Sequence, residues 1–136
     1  MKRKAKYKIR TIRREMIHVG DQIDHTMMLT EMEGEPLEYE KGVAGEFVSR
    51  HSVGFHDRLR GSGPMSGYAV TTFEDGQVYS RYEGHRDAAT KLTKGTWKVY
   101  KGTGKLKNLG GEGTFTVSSG SKPEEYILEI EGDYTL

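Results

Sequence analysis

Glu46 and Arg50 stand around Val48 in an alternating segment, so on a regular strand they share one face. If that face is internal, it holds a carboxylate and a guanidinium a few ångströms apart. Buried charges are costly unless paired, so such a pair would mark a catalytic site, the carboxylate acting as general acid or base and the guanidinium orienting a polar group. Glu31 among Met27, Leu29 and Met32 poses the same question, as do Tyr79 and Arg81. Trp97, Tyr79 and the adaptable methionines would form the apolar wall of a ligand pocket. For each charged residue the alternative is a solvated outer face or a rim ion pair, and parity alone leaves open which face is inside.

Other chemistries find no support. The chain has no cysteine, which removes thiol nucleophiles, disulfides and thiolate metal sites. Gly104-Lys105 is followed by Leu106, and Val99 stands where a phosphate loop needs its first glycine; Gly102-Thr103-Gly104 meets Lys107 where a dinucleotide fingerprint needs its third. Ser66 in Gly63-Pro64-Met65-Ser66-Gly67 is one place too late for a nucleophile elbow. His18, His25, His51, His56 and His85 show neither His-x-His nor His-Glu-x-x-His spacing. The expectation is therefore no metal and no cofactor.

Strands must position these residues, because period-two alternation dominates. Ala5, Tyr7, Ile9 and Thr11 alternate with Lys4, Lys6, Lys8 and Arg10; the phase then slips, predicting a bulge near Thr11–Ile12 in one long bent strand. Asp21-Gln22-Ile23-Asp24 reads as a turn, His25 to Glu33 as a second strand broken by Gly34-Glu35-Pro36, and Val43 to Val53 as a third. The glycines between 54 and 67 predict a loop. Tyr68–Phe73 and Gln77–Tyr82 flank Glu74-Asp75-Gly76 as a hairpin. Further strands are expected over Thr93–Lys101, Thr114–Val117 and Glu125–Tyr134, with one helical turn burying Leu106 and Leu109. The fold class is all-β: a single closed antiparallel eight-stranded β-barrel spanning residues 1–136, calycin-like, with short turns and residues 1–5 as a disordered basic tip. Closure hides strand edges, and eight strands leave an interior that side chains fill or that holds one small ligand.

Composition agrees with a small barrel. Of 136 residues 34% are hydrophobic and 30% charged, so about half of each strand must face solvent; 18 glycines, roughly twice the average share, serve tight reversals. No apolar run approaches the ~18 residues of a membrane span, and the basic start continues into Tyr7-Lys8-Ile9-Arg10 instead of an apolar signal segment, so a cytoplasmic protein with no membrane partner is expected. Residues 1–14 carry eight of the 21 Lys and Arg and no acid, while residues 15–47 carry nine of the 20 Asp and Glu. Nucleic-acid binding through the basic strand is the competing class of function. A net charge of +1 argues against it, and the acidic segment 31–46 of the same or a neighbouring subunit is the simpler partner.

The stretch from Gly95 and Trp97 through Gly102, Gly104, Gly110, Gly111 and Gly113 to Val117 resembles the strand, glycine-framed turn and strand of the allene oxide cyclase-like barrels. That family includes dirigent proteins and bacterial spirotetronate cyclases. The Gly67–Gly84 hairpin is compatible with it. The resemblance implies an eight-stranded barrel, often a homo-oligomer (here a dimer or trimer), binding a small hydrophobic or amphipathic molecule in its lumen. Where members are enzymes it implies a cofactor-independent cyclase or isomerase; no family catalytic residue maps onto this chain. A carrier or sensor barrel without chemistry is the alternative. Gly95-Thr96-Trp97 also spells the Gly-x-Trp of lipocalins, but it follows some five strands here and lies in the first strand there.

Overall fold

Alternating side chains sort the strands into an inner and an outer face, and the sheet closes so that every inner face meets another. A computed structural model describes residues 2–39 and 45–135. The strands are β1 (Lys2–His18), β2 (His25–Tyr39), β3 (Phe47–Leu59), β4 (Gly63–Phe73), β5 (Gly76–Asp87), β6 (Leu92–Gly102), β7 (Gly110–Ser119) and β8 (Glu125–Thr135). They form one closed antiparallel barrel in chain order, sealed by β1 against β8 from Lys2↔Asp133 to Arg10↔Glu125. The expected fold class is thus observed. The helical turn is a 3-10 turn at Gly104–Leu106, which buries Leu106 and helps Leu109 plug one end of the barrel.

Tyr7, Ile9, Val78, Trp97, Val99, Phe115 and Leu128 form the core from inward positions on five strands. The expected bulge in β1 lies between Thr11 and Arg13: Ile12 is the extra residue and stands exposed. Two other expectations are corrected. Pro36 does not break β2, which continues to Tyr39; a second bulge, between the Lys6↔Glu38 and Tyr7↔Pro36 pairs, sits beside the residue that has no N–H to give. Residues 54–67 are not a loop. β3 runs on to Leu59, Arg60 and Gly61 turn at positive φ (54° and 83°), and β4 begins at Gly63. Gly54 and Gly67 are paired across β3 and β4. They are strand glycines where another group approaches the backbone closely. Of the segment expected to begin the third strand, Val43 and Ala44 lie outside the described residues, and β3 opens at Phe47.

The basic outer face of β1 is answered from both sides. Lys8 Nζ meets Glu35 at 2.8 Å and Arg10 meets Glu33 at 2.9 Å on β2; Lys6 meets Glu129 at 3.4 Å and Lys4 meets Glu131 at 4.0 Å on β8. The acidic segment was legible as a partner; the β8 acids became partners only on closure. Each exposed pair, screened by solvent, contributes little alone, but together they remove like-charge repulsion along one strand.

His25, at the start of β2, holds the β1–β2 turn to β3. Its Nδ1 lies 2.6 Å from Asp21 Oδ1 and its Nε2 2.7 Å from Asp57 Oδ1. The hydrogen bond to Asp21, then that to Asp57, raises the imidazole pKa above its usual value, and the imidazolium in turn lowers that of Asp21. A raised histidine pKa contributes stability that is complete below about pH 6.5 and lost as pH rises through the folded value; the Asp21 share is lost as pH falls through its depressed value. Over a pH range from about 5 up through the raised imidazole value, the gap in thermal midpoint between wild type and His25→Gln should therefore be widest on the acidic side and shrink toward the alkaline side. A constant gap across that range would refute the clamp.

Candidate ligand site in the barrel lumen

Inward residues from all eight strands enclose a cavity of about 240 Å³. Its wall is aromatic because large rings lie along it over glycines of nearby strands. Trp97 lies against Gly132, where a Cβ would collide with the indole; the indole packs on Tyr134 with centroids 5.3 Å apart, and its Nε1 donates to the Thr114 carbonyl at 3.1 Å. Tyr82 lies over Gly54 and Gly67, edge-on to Phe115 at 5.8 Å, and its hydroxyl donates to the Val53 carbonyl at 3.3 Å. Burial raises the pKa of the Tyr82 phenol.

Arg50 enters this wall from β3. Its stem crosses Gly34, and its guanidinium carbon sits 6.0 Å from the centroid of Tyr7. Burial lowers its pKa, opposed among the described residues by the phenols of Tyr82, Tyr7 and Tyr134. Among the described residues no Asp or Glu lines the cavity. Beyond Tyr82 lies His56, whose Nε2 is 3.2 Å from Thr30 Oγ1 and whose buried Nδ1 has no hydrogen-bond partner among the described residues. Burial first, then Arg58, Arg14 and Arg86, push its pKa down to about 4, so the ring is neutral at physiological pH.

Of the residues singled out from the sequence, Arg50 and Trp97 line the lumen. The others point elsewhere. Glu46 does not share a face with Arg50: a bulge between Phe47 and Ser49 reverses the phase and turns Phe47 inward against Tyr7 (5.8 Å) and Phe73 (6.2 Å). Glu46 precedes the strand, exposed, its amide donating to Glu74 Oε1 at 3.0 Å. Glu31 faces outward, with Oε2 2.6 Å from His51 Nε2. Met27 is exposed, while its neighbour Met28 turns in. Tyr79 lies outside the lumen against Tyr100 and Lys101, its hydroxyl donating to Gln77 at 2.7 Å, and Arg81 is exposed; the inward residues of β5 are Val78, Ser80, Tyr82 and Arg86. Sequence reasoning missed Tyr7, His56, Tyr82 and Tyr134. For His56 the signal was parity with Arg50 through Ser52 and Gly54, hidden by reading those glycines as a loop.

No protein-family model matches the chain, and no curated protein matches it. Among solved structures the barrel is similar to pyocyanin demethylase, with 16% identity and a TM-score of 0.56 over 97% of this chain and 99% of that one. At that identity the likeness shows the fold. The fold and cavity together define the class: a closed eight-stranded barrel with a lumen large enough for a small molecule.

The Tyr82 seat is directly testable. In Gly67→Ala the new methyl collides with the Val53 carbonyl and the Tyr82 phenol. Overpacking of this kind costs about 1–3 kcal/mol, expected as a lowered urea midpoint with unchanged slope. A midpoint equal to wild type would show that Tyr82 does not occupy this seat.

Proposed function

We propose that the protein binds a small, flat, mainly apolar molecule in its lumen, and that Arg50 supplies the counter-charge to an anionic or electron-rich oxygen of that molecule. One observation carries this reading: Arg50 is held among aromatic rings in a cavity that no described carboxylate lines. An uncompensated buried charge costs several kcal/mol, and an incoming anion would offset it through a charge-assisted hydrogen bond. The cavity lies just below the ~300–1,000 Å³ typical of small-molecule sites. The structural neighbour bears an enzyme's name, which is compatible with a barrel that takes a ligand.

Binding, as in a carrier or sensor, is preferred to acid–base catalysis. A cofactor-free cyclase or isomerase would have to draw its proton-transfer group from His56 or Tyr82, since Glu46 lies outside the lumen. An imidazole near pKa 4 is a weak base at neutral pH. Nucleic-acid binding draws no support from β1, whose cations Lys6, Lys8 and Arg10 already meet carboxylates. Exposed Met27, Leu29, Phe55 and Tyr68 on the outer face are consistent with self-association, as the family resemblance implies.

Trp97 is the only tryptophan and lines the cavity, so its emission reports occupancy. Titration with naphthoate should change that emission, and Arg50→Met should weaken naphthoate at least about tenfold, from a lost charge-assisted bond of roughly 1.5–3 kcal/mol. Uncharged naphthalenemethanol should bind both proteins alike. Equal naphthoate affinity in the two would overturn the role of Arg50.

A further inference from the structure

Behind His56 the barrel end away from Leu106 collects guanidinium groups. Arg14, Arg58 and Arg86 project from β1, β3 and β5 into the same cavity, with Lys91 on the turn after β5. All three arginines bear on His56, and Arg86 and Arg14 both disfavour the charge on Arg58. Their compensation is incomplete. Glu124 binds Arg14 through both oxygens, at 2.7 and 2.6 Å, and Arg86 Nη1 donates to the Gly61 carbonyl at 2.6 Å. Arg58 Nε is buried with no hydrogen-bond partner among the described residues, and so is His56 Nδ1. The three guanidinium groups against one carboxylate leave about two positive charges before Lys91 is counted, since His56 is neutral. Hydroxyls of Thr93 and Ser118 line the same space.

Like-charged, partly buried groups that converge with incomplete compensation destabilise a folded chain, so their persistence points to a ligand that supplies the missing charge. The excess of about +2 matches a phosphate group, which carries about −1.5 to −2 at neutral pH and three acceptor oxygens. Guanidinium forks suit those oxygens better than they suit an apolar ligand.

We propose that this end of the barrel binds a tetrahedral oxyanion, a phosphate group above all, seated among Arg58, Arg86 and Arg14. The oxyanion is either free or the terminal group of the ligand in the lumen. In the second case the inference rests on the lumen-binding reading and sharpens it: the ligand is a phosphate ester of a flat apolar alcohol, its head at the arginines and its body on the Tyr82–Trp97 wall.

The two sources and the two readings separate in one set of titrations of the full chain, at ionic strength held constant with chloride. Inorganic phosphate, naphthol and naphthyl phosphate are followed by calorimetry and by Trp97 emission. Naphthyl phosphate is expected to bind at least about tenfold tighter than phosphate or naphthol, because one molecule then engages both regions. Arg58→Met and Arg58→Gln should weaken phosphate and naphthyl phosphate at least about tenfold and leave naphthol within about twofold. Both variants should keep the thermal midpoint of wild type or exceed it without ligand, since they relieve repulsion. Phosphate binding that depends on Arg58, with naphthol and naphthoate leaving the protein unchanged, would support a free-oxyanion site and overturn the lumen reading. Naphthoate binding with no response to phosphate or gain from the ester, or ester affinity undiminished in both variants, would overturn the oxyanion site and leave the lumen reading standing.

Discussion

Pairing of β1 with β8 is the constraint on which the rest depends. It removes both sheet edges at once and fixes the interior at the width eight strands allow, enough for packed side chains or one small ligand. In so narrow an interior a large inward side chain can lie flat along the wall only where a nearby strand offers bare backbone. Hence Gly132 lies under Trp97, Gly54 and Gly67 under Tyr82, and Gly34 under the stem of Arg50. The same glycines that admit these side chains place them around a cavity instead of a solid core.

Closure also sorts the charges. Outside, the cations of β1 fall between the acids of β2 and β8 and are answered there. Inside, no described carboxylate answers Arg50 or Arg58. The two cationic regions of the lumen are separated by Tyr82 and His56, and His56 stays neutral because burial and the neighbouring arginines both oppose its protonation. A chain with a net charge of +1 thus encloses a distinctly positive interior.

Bulges decide which residues share that interior. A regular strand would put Glu46 beside Arg50, yet a single extra residue near Phe47 exchanges an aromatic ring for the carboxylate. The bulge in β1 brings Arg14 to the arginine end in place of Arg13, which regular alternation after Ile9 and Thr11 would have turned inward. One residue of slippage moves every following side chain to the other face, so such shifts rewrite a site without altering the order of strands.

Alternation, the Asp75-Gly76 turn and the glycine-framed turn at Gly104 made the all-β class, the closed eight-stranded barrel and the burial of Leu106 and Leu109 legible from the sequence, because these depend on local periodicity and turn chemistry. Trp97 and Arg50 were legible as candidates for the same reason. The partners of Arg50, the neutrality of His56 and the meeting of Arg14, Arg58 and Arg86 were not. Those residues lie on different strands, and their proximity is set by register, bulges and closure, which no local pattern encodes. Residue types and strand order therefore belonged to the sequence, whereas the face each residue shows, and with it the character of the lumen, was decided only when the sheet closed.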